Sequence, residues 1–382
     1  MPSPARRVFF TVFLDLIGFG IVLPLLPSYG ARFTESAALI GALVATDSLL
    51  TFLLAPAWGR FSDRVGRRPV LLIGLAGSVA AYLVFGLAGS FLALLLSRVI
   101  SGATGATIHV AQAYLADVTP PERRSQAMGM IGAAFGLGFT VGPAIGGIAS
   151  RYGGEALPGL IAAGIAALNL VLASLTLPET IVRRRPDYRP LPLRWASVGS
   201  PFGAMFFSTL AFTAIYVAFP LYCQRVLGYA RSEVSTFFVL IGLITIVVQG
   251  KLVGRLVPRF GERRLIVSGS ALMAAGFGSV PLIGGTTPGL TLAVGLLATG
   301  FCLVGPSLAG LVSRRSSAVE QGRALGMLQS VGAVARIVGP PAAGLVDQAA
   351  GSAAPFVLAA LSAGLAAVAG LLHRREEAVP AD

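Results

Sequence analysis

Charged side chains are scarce in this sequence, and their scarcity excludes an ordinary soluble domain of this length. Asp, Glu, Lys and Arg make up 12% of the 382 residues, whereas soluble domains average roughly a quarter. Hydrophobic residues make up 55% of the chain, and the mean hydropathy is +0.81. The chain has only two histidines and two cysteines. Neither cysteine has metal-ligand spacing, so we expect no metal centre and no disulfide.

The groups that would carry enzymatic chemistry are also missing. The sequence shows no His/Cys/Asp/Glu cluster, no nucleophile–base pair and no phosphate-binding loop, and its loops are too short for a catalytic domain. A receptor is disfavoured because no sizeable soluble domain is present. We therefore predict a protein that is not an enzyme and needs no cofactor.

Long apolar segments recur along the chain with short connections between them. A helix of about 20 residues crosses a ~30 Å hydrocarbon core, since each residue adds about 1.5 Å. The pattern therefore predicts an all-α membrane protein with twelve transmembrane helices, called spans 1 to 12 here. The spans lie near 7–29, 37–58, 69–89, 91–116, 126–149, 156–177, 199–222, 233–253, 265–284, 289–312, 324–346 and 355–372.

The net charge of +13 follows the predicted topology and does not mark a nucleic-acid partner. Of the 29 Lys and Arg residues, 23 fall on one predicted side and only Arg32, Arg151, Arg225 and Arg231 fall on the other. The positive-inside rule then places both termini in the cytoplasm. The bias of 28 Arg to one Lys indicates a GC-rich bacterial genome. We expect a multi-pass protein of the bacterial inner membrane.

A polar linker separates two similar halves. Residues 178–198 (PETIVRRRPDYRPLPLRWASV) contain four prolines and five arginines, so they are predicted to be a cytoplasmic linker. The predicted domains are a six-helix bundle at 1–177, this linker, and a second bundle with a short tail at 199–382. GRFSDRVGRRP at 59–69 recurs as GRLVPRFGERR at 254–264, and GMIGAAFGLGFTVGPAIGG at 129–147 recurs as GMLQSVGAVARIVGPPAAG at 326–344. Pro258 replaces Asp63, which predicts that the carboxylate form of the loop works in the first half only.

Five motifs carry a resemblance to a known family. They are GRFSDRVGRRP (59–69), LDLIGFGIVLPLLP (14–27), LSRVISGATGA (96–106), YLADVTPPERR (114–124) and GFTVGPAIGG (138–147). The chain resembles the major facilitator superfamily, within it the drug:proton antiporters, and most closely the tetracycline efflux pumps. The resemblance implies two pseudo-symmetric six-helix bundles, with the substrate site between the halves near the membrane midplane.

The 59–69 run predicts a conformational latch on the cytoplasmic side, in a very short turn where two glycines allow the chain to reverse. A carboxylate bound by guanidinium groups can hold helices together in one conformer. The alternatives are a turn that serves topology alone and, for Asp117, a solvated helix-end residue. The predicted latch comprises Gly59, Asp63, Arg64, Gly66, Arg67, Arg68 and Asp117.

Span 5 carries small residues at helical spacing, which let another backbone approach closely. We expect them to form a dry seam between the halves that blocks ion leak, with proline bending the helix. Ordinary helix packing is the alternative. The residues are Gly138, Gly142, Pro143, Gly146 and Gly147.

Ionisable residues inside spans are costly and are functional candidates by default. Asp15, which matches an acid of the resembling pumps, Asp47 and His109 are predicted to couple protons; structural roles for them remain open. On span 4, a single polar stripe is expected along Arg98, Gly102, Gly105, His109 and Gln112. Arg336 lies where the first repeat has Phe139. The predicted substrate cavity contains Arg98, Gln112, Arg336, Phe206 and Tyr216.

These features predict a proton-coupled antiporter that exports a hydrophobic or amphipathic small molecule by alternating access. The proton gradient supplies the energy. The expected partners are the small-molecule substrate, protons and membrane lipids, and the protein is expected to be monomeric. The alternative within the same superfamily is an exporter or flippase of lipids or amphipathic organic anions, in which Arg98 and Arg336 would bind the acidic group.

Overall fold

The computed structural model describes residues 3–105, 107–119, 124–180, 195–315 and 321–372, and these are helical nearly throughout. A 3-10 turn at Thr213–Ile215 and a π-helical turn at Val248–Leu252 interrupt spans 7 and 8. The helices are α1 (Ser3–Val22), α2 (Leu26–Gly30), α3 (Ala37–Val65), α4 (Arg67–Gly86), α5 (Phe91–Thr104), α6 (Thr107–Val118), α7 (Arg124–Gly153), α8 (Ala156–Thr176), α9 (Trp195–Phe212), α10 (Ala218–Arg225), α11 (Arg231–Val247), α12 (Val253–Phe260), α13 (Glu262–Ile283), α14 (Thr287–Arg315), α15 (Gln321–Ala350) and α16 (Ala354–Leu372).

The all-α membrane fold predicted from the sequence is confirmed. Within the described residues, ten helical segments are long and apolar enough to cross a membrane. The helices α1 and α15 correspond to the remaining predicted spans, which gives ten to twelve membrane-spanning helices. Helices suit this setting because each one satisfies its own backbone hydrogen bonds where no water can do so.

The chain forms two compact units. Unit 1 comprises Met1–Pro186 with Pro220–Leu243, and unit 2 comprises Asp187–Phe219 with Ile244–Asp382. Residues 220–243, which belong to the second half by sequence, are thus grouped with the first half. This grouping reflects contacts rather than independent folding, so the domain boundaries stated from the sequence stay a prediction.

In unit 1, α1 packs against α7 and α8, and α4 packs against α8 and α5. A buried apolar core joins α1, α4, α6, α7 and α8, with Val12, Leu75 and Tyr114 among its members. Each of these three side chains is removed almost completely from solvent. The core therefore fixes the positions of the helices that carry the candidate residues of the first half.

In unit 2, α13 is the central helix and packs against α14 and α16. Small residues allow the contact with α14, since a Cβ added to Gly269 would lie 2.8 Å from the carbonyl oxygen of Gly300. The pairing of α13 with α16 repeats the pairing of α4 with α8 in unit 1. The packing within each unit thus follows the repeat seen in the sequence.

The sequence predicted a turn across the 59–69 run. In the structure most of this run is helical. The helix α3 continues to Val65 and α4 begins at Arg67, so the chain reverses at Gly66 alone. Gly66 has φ 105° and ψ 163°, a conformation open to glycine. Gly59 lies inside α3 with no atom within 4 Å of the place a Cβ would occupy. Its predicted role in chain reversal is wrong, since one glycine suffices.

These two glycines give a matched pair of substitutions. Gly66→Ala should lower the melting temperature, because the backbone conformation costs ~1–3 kcal/mol for other residues and the new Cβ would lie 2.5 Å from the carboxyl carbon of Glu179. Gly59→Ala should raise it slightly, because alanine in a helix interior is better than glycine by roughly 0.5–1 kcal/mol. Thermal unfolding of the purified variants measures both. Equal shifts at the two positions would contradict this account of the turn.

Candidate functional site

Two carboxylates inside unit 1 are each held by a hydroxyl on a neighbouring helix. The Oγ of Ser78 in α4 donates to Oδ1 of Asp15 in α1 at 3.0 Å. The Oγ of Ser101 in α5 donates to Oδ1 of Asp47 in α3 at 2.5 Å. The two acids also interact electrostatically with each other. Four helices thus bring together a pair of acids that lie 32 residues apart in sequence.

Arg98 is the cation of this polar cluster and is almost completely buried, with 1% of its surface exposed. Its Nε donates to Oγ of Ser97 at 3.2 Å, and its guanidinium carbon lies 5.7 Å from the ring centroid of Phe85. Asp47 and Tyr82 interact with it electrostatically. Within the part of the chain that the structure describes, its Nη2 has no hydrogen-bond partner. The cluster therefore retains a buried donor that can bind a further group.

The expected polar stripe along span 4 is broken. The helix α5 ends at Thr104 and α6 begins at Thr107, so Arg98 and His109 lie on separate helices. Arg98 is buried, His109 is exposed and Gln112 is half-buried. Gly105 caps the C-terminal end of the first segment. The proton-coupling role of His109 and the cavity role of Gln112 stay predictions.

On the predicted cytoplasmic side, Arg67 joins the two acids of the expected latch. Its Nε lies 3.0 Å from Oδ2 of Asp117, and its Nη1 lies 2.7 Å from Oδ1 of Asp63. The same Nη1 donates to Oγ of Ser62 at 3.0 Å. The side chains of Arg67 and Asp117 are each 8% exposed, whereas that of Asp63 is 51% exposed. Asp117 is therefore not a solvated helix-end residue. Arg64, the remaining arginine of the predicted latch in α3, is exposed.

Glu179 is a member of this network that sequence reasoning missed. Its Oε1 accepts hydrogen bonds from the backbone N–H groups of Arg67 at 2.9 Å and Arg68 at 3.4 Å. A carboxylate there satisfies free donors at the N-terminus of α4 and lies at the positive end of the helix dipole. Its place against Gly66 also explains why a side chain is excluded at that turn. The sequence shows a glutamate just after span 6, but no sequence pattern indicates that this glutamate contacts residue 67.

The second half contains a related ion pair of reversed polarity. Glu262 stands where the first repeat has Arg67, and Arg314 stands where it has Asp117, at offsets of 195 and 197. Nη2 of Arg314 lies 2.9 Å from Oε1 of Glu262. Pro258 removes the acid found at Asp63, and Glu262 supplies a carboxylate at another position of the second loop, so the expectation that the carboxylate form works in the first half only stays a prediction.

A second pair of arginines is repeated without reversal. Nη2 of Arg68 donates to the carbonyl oxygen of Ser174 at the end of α8, at 2.6 Å. Nη2 of Arg263 donates to the carbonyl oxygen of Leu371 at the end of α16, at 2.5 Å. Cations favour the C-terminal ends of helices, where carbonyl groups lack helical partners. Each loop therefore fastens the last helix of its own half.

The glycines of span 5 lie mostly inside the first half rather than on a seam between the halves. A Cβ on Gly138, Gly142 or Gly146 would lie 2.6–2.9 Å from atoms of α1. Only Gly147 reaches a residue of the second half in this set, since its added Cβ would lie 2.8 Å from Cβ of Ser235 in α11. These contacts agree with the alternative of ordinary helix packing for the first three, and the seam stays a prediction. Small residues there serve the close packing of α1 on α7.

A charged cluster in unit 1 lies on the predicted outer side. Oε1 of Glu155 lies 2.6 Å from Nη1 of Arg231, and the same carboxylate pairs with Arg32. The guanidinium carbon of Arg231 lies 5.2 Å from the ring centroid of Tyr29. The cluster joins the N-terminus of α11, from the second half of the sequence, to helices of the first half. Any conformation that separates these segments must break the Glu155–Arg231 pair.

In unit 2, the structure brings together two of the predicted cavity residues. Arg336 lies near the middle of α15, and Tyr216 follows the 3-10 turn after α9. The two side chains are half-buried and interact electrostatically. Phe206 packs edge-on against Phe207, with ring centroids 5.4 Å apart. Its cavity role stays a prediction.

Long apolar helices that contain a few buried polar groups define a multi-pass membrane protein. Comparison with known proteins gives the family. A model of the Major Facilitator Superfamily matches residues 8–316 and 202–382. The chain is 31% identical over 346 residues to the class C tetracycline resistance protein of Escherichia coli, covering 86% of each. It is 32% identical over 423 residues to the human major facilitator superfamily domain-containing protein 10, covering 92% of this chain and 90% of the relative.

Solved structures agree with this assignment. The crystal structure of the human organic anion transporter MFSD10 (TETRAN) matches with a TM-score of 0.76 and 28% identity, covering 98% of this chain and all of that one. A bacterial homologue of the human lysosomal transporter Spinster has a TM-score of 0.75 at 15% identity over 99% of this chain, which supports the fold alone. The chain belongs to the major facilitator superfamily. It is a secondary transporter related to tetracycline resistance efflux proteins and to MFSD10, and not an enzyme.

The two acids that contact Arg67 provide a test of the latch. Asp117→Asn should reduce the free energy of unfolding by an amount near the lower end of ~3–5 kcal/mol, because it leaves a buried cation with one partner fewer. Asp63→Asn should cost at most ~1 kcal/mol, because an exposed ion pair contributes little. Melting temperatures of the two purified variants give the comparison. A loss at Asp63 as large as that at Asp117 would show that burial does not set the strength of this latch.

Proposed function

We propose that this chain is a proton-coupled antiporter of the bacterial inner membrane that exports a hydrophobic or amphipathic small molecule by alternating access. The observation that carries the proposal is the polar cluster of Asp15, Asp47 and Arg98 inside unit 1. It combines two hydrogen-bonded carboxylates with a buried guanidinium that has an unpartnered nitrogen. Charges inside membrane helices are costly and mark ion and proton pathways.

Asp15 is the acid that we assign to proton exchange. Its ionised form accepts a hydrogen bond from Ser78, while removal from water disfavours the charged form of any carboxyl group. The site can therefore hold the group in either state. Protonation removes the cost of carrying a charge through a state in which the site is closed to water on both sides.

Asp47 and Arg98 extend this exchange. Asp47 is the carboxylate that interacts with Arg98 inside the cluster. Protonation of Asp47 would leave the guanidinium without a counter-charge, and the buried Nη2 would then favour a new partner. A change of proton occupancy thereby becomes a change in the electrostatic balance among α1, α3, α4 and α5.

The membrane potential makes such an exchange strong enough for export. Moving one charge across 100 mV is worth about 2.3 kcal/mol. Since about 1.36 kcal/mol corresponds to a factor of ten, one proton driven by that potential supports a concentration ratio of roughly 50. No cofactor is needed, because the proton gradient supplies the energy.

The ion pairs at the two predicted membrane faces supply the conformational part of the proposal. Arg67 joins α4 to α6 through Asp117, and Glu155 joins the start of α11 to the first half through Arg231. These pairs can exist in one arrangement of the helices and be broken in another, which is the requirement for a two-state element. We assign the pairs as latches that alternate during transport.

The direction of transport and the location rest on the relatives and on the charge pattern. Several relatives bear the name tetracycline resistance protein, which favours export. The excess of Arg on one predicted side favours cytoplasmic termini. We propose a monomer whose partners are its small-molecule substrate, protons and surrounding lipids.

A second candidate function is export or flipping of a lipid or amphipathic organic anion. It is favoured by Arg336, a cation in the middle of a predicted span. One relative of known structure is described as an organic anion transporter. The two candidates share the fold and the energy source and differ in the charge of the substrate.

The experiment that tests the proposal separates proton coupling from substrate exchange. Asp15→Asn in proteoliposomes should abolish accumulation of tetracycline or of 1-naphthaleneacetate driven by an imposed pH gradient. The same variant should still exchange labelled for unlabelled substrate without a gradient. Asp15→Glu, which keeps a titratable group, is the matched control and should retain part of the gradient-driven accumulation.

Two results would overturn the assignment. Undiminished gradient-driven accumulation in Asp15→Asn would remove Asp15 from proton exchange. An absence of any proton flux when either substrate is added to the wild-type chain would contradict proton coupling itself. An internal pH-sensitive dye measures that flux in the same vesicles.

A further inference from the structure

Arg336 carries a positive charge in the middle of the 30-residue helix α15, and the described residues of its own unit supply no anion for it. The described part of unit 2 contains two acids, Glu262 and Asp347. Glu262 pairs with Arg314 at 2.9 Å. Asp347 lies eleven residues further along α15, which is roughly 16 Å at 1.5 Å per residue. Neither acid therefore neutralises Arg336.

The guanidinium lies beside α9, where the absence of a side chain makes room for it. A Cβ added to Gly332, one turn before Arg336, would lie 3.5 Å from Nη1 of Arg336. The same point is 2.9 Å from Cε of Met205 and 3.7 Å from Oγ1 of Thr209. An apolar thioether and a neutral hydroxyl of α9 therefore lie on the same side of α15 as the guanidinium.

An aromatic cluster adjoins the charge through Tyr216. The rings of Phe212 and Phe301 are stacked, with centroids 3.8 Å apart and an interplanar angle of 8°. Tyr216 stands at 90° to Phe212, with a centroid distance of 5.8 Å, and is the electrostatic neighbour of Arg336. One side of the site is therefore cationic with a phenol donor, and the adjoining side is flat and apolar.

We infer that Arg336, Tyr216 and the Phe212–Phe301 stack form a binding subsite for an organic anion with an aromatic body. A guanidinium presents a planar set of donors that matches a carboxylate or sulfonate. The half-buried ring of Phe301 offers an aromatic face on which a flat apolar body can stack. This inference rests on the proposed function and names the substrate class of that transport.

The substrate charge then has a defined part in binding. Without an anion, the guanidinium of Arg336 stays uncompensated in a low-dielectric region, which is costly. A bound anion removes that cost, and an uncharged analogue of the same shape does not. We therefore expect selectivity for charge among ligands with the same aromatic body.

A pair of probes that differ in charge tests this expectation. The full chain is titrated in neutral detergent with 1-naphthaleneacetate and with its amide, and dissociation constants are measured by calorimetry. The wild-type chain should bind the acid at least ~10-fold more tightly, because a hydrogen bond to a charged group exceeds a neutral one by roughly one factor of ten. Arg336→Gln should abolish that preference and leave the affinity for the amide nearly unchanged.

Two further variants control for loss of structure. Arg336→Lys keeps the charge without the planar donors and should retain part of the preference. Tyr216→Phe keeps the ring and removes the phenol donor, so it should weaken binding of the acid by less than Arg336→Gln does. The melting temperature of each variant without ligand shows whether the fold is intact.

Several outcomes would overturn the inference. Equal affinity of the wild-type chain for the amide and the acid would overturn it without any variant. Arg336→Gln that weakens both probes equally would make Arg336 a structural residue. If Arg336→Gln does not fold, an Arg336→Lys variant that folds and loses affinity for both probes alike would have the same meaning.

The anion can belong to a free small molecule or to an acidic lipid headgroup, and the two sources are separable. Binding of 1-naphthaleneacetate is repeated in phosphatidylcholine vesicles with and without phosphatidylglycerol. A competitive loss of affinity with phosphatidylglycerol supports a lipid occupant of the subsite, and unchanged affinity supports a free anion. If charge preference is absent while proton-driven transport persists, the inference fails and the proposed function stands. If the charge preference is present while proton-driven transport is absent, proton coupling is overturned and the subsite stands.

Discussion

The exclusion of water from the interior of the spans is the constraint on which the rest of this structure depends. Backbone groups must find partners within each helix, and every buried charge must be offset by a specific partner. Four charged residues lie deep in the predicted spans, and three of them, Asp15, Asp47 and Arg98, meet in unit 1. The fourth, Arg336, lies in unit 2, where no carboxylate among the described residues neutralises it. The two units therefore differ in chemistry although they share an architecture.

The latches show how the repeat has diverged while its geometry has been kept. An ion pair attracts equally when its two charges are exchanged, so Arg67 with Asp117 can become Glu262 with Arg314 without a change of fold. Burial has not been kept. Both members of the first pair are 8% exposed, whereas Arg314 is 68% exposed. The second pair is screened by solvent and contributes less, so the two loops differ in how firmly they hold their helices.

Much of the fold followed from the sequence because it depends on one-dimensional patterns. Span lengths, the internal repeat and the family could be read from apolar segments and motifs, and the structure and the comparisons confirm the all-α membrane fold and the family. The Arg67–Asp117 pair lies within the predicted latch. Glu179 was not predicted, because a carboxylate that binds backbone N–H groups leaves no mark on the sequence of the helix it contacts.

By itself the sequence determined the number and order of apolar segments and the rarity of charge, since hydropathy depends on each residue type and not on its neighbours in space. Only the tertiary structure decided which charges meet. It joined Asp15 to Ser78 and Asp47 to Ser101, placed the span 5 glycines against α1 and broke the stripe expected along span 4 at Gly105. Those outcomes depend on how helices rotate and approach one another, and that is fixed by packing over distances that sequence spacing does not record.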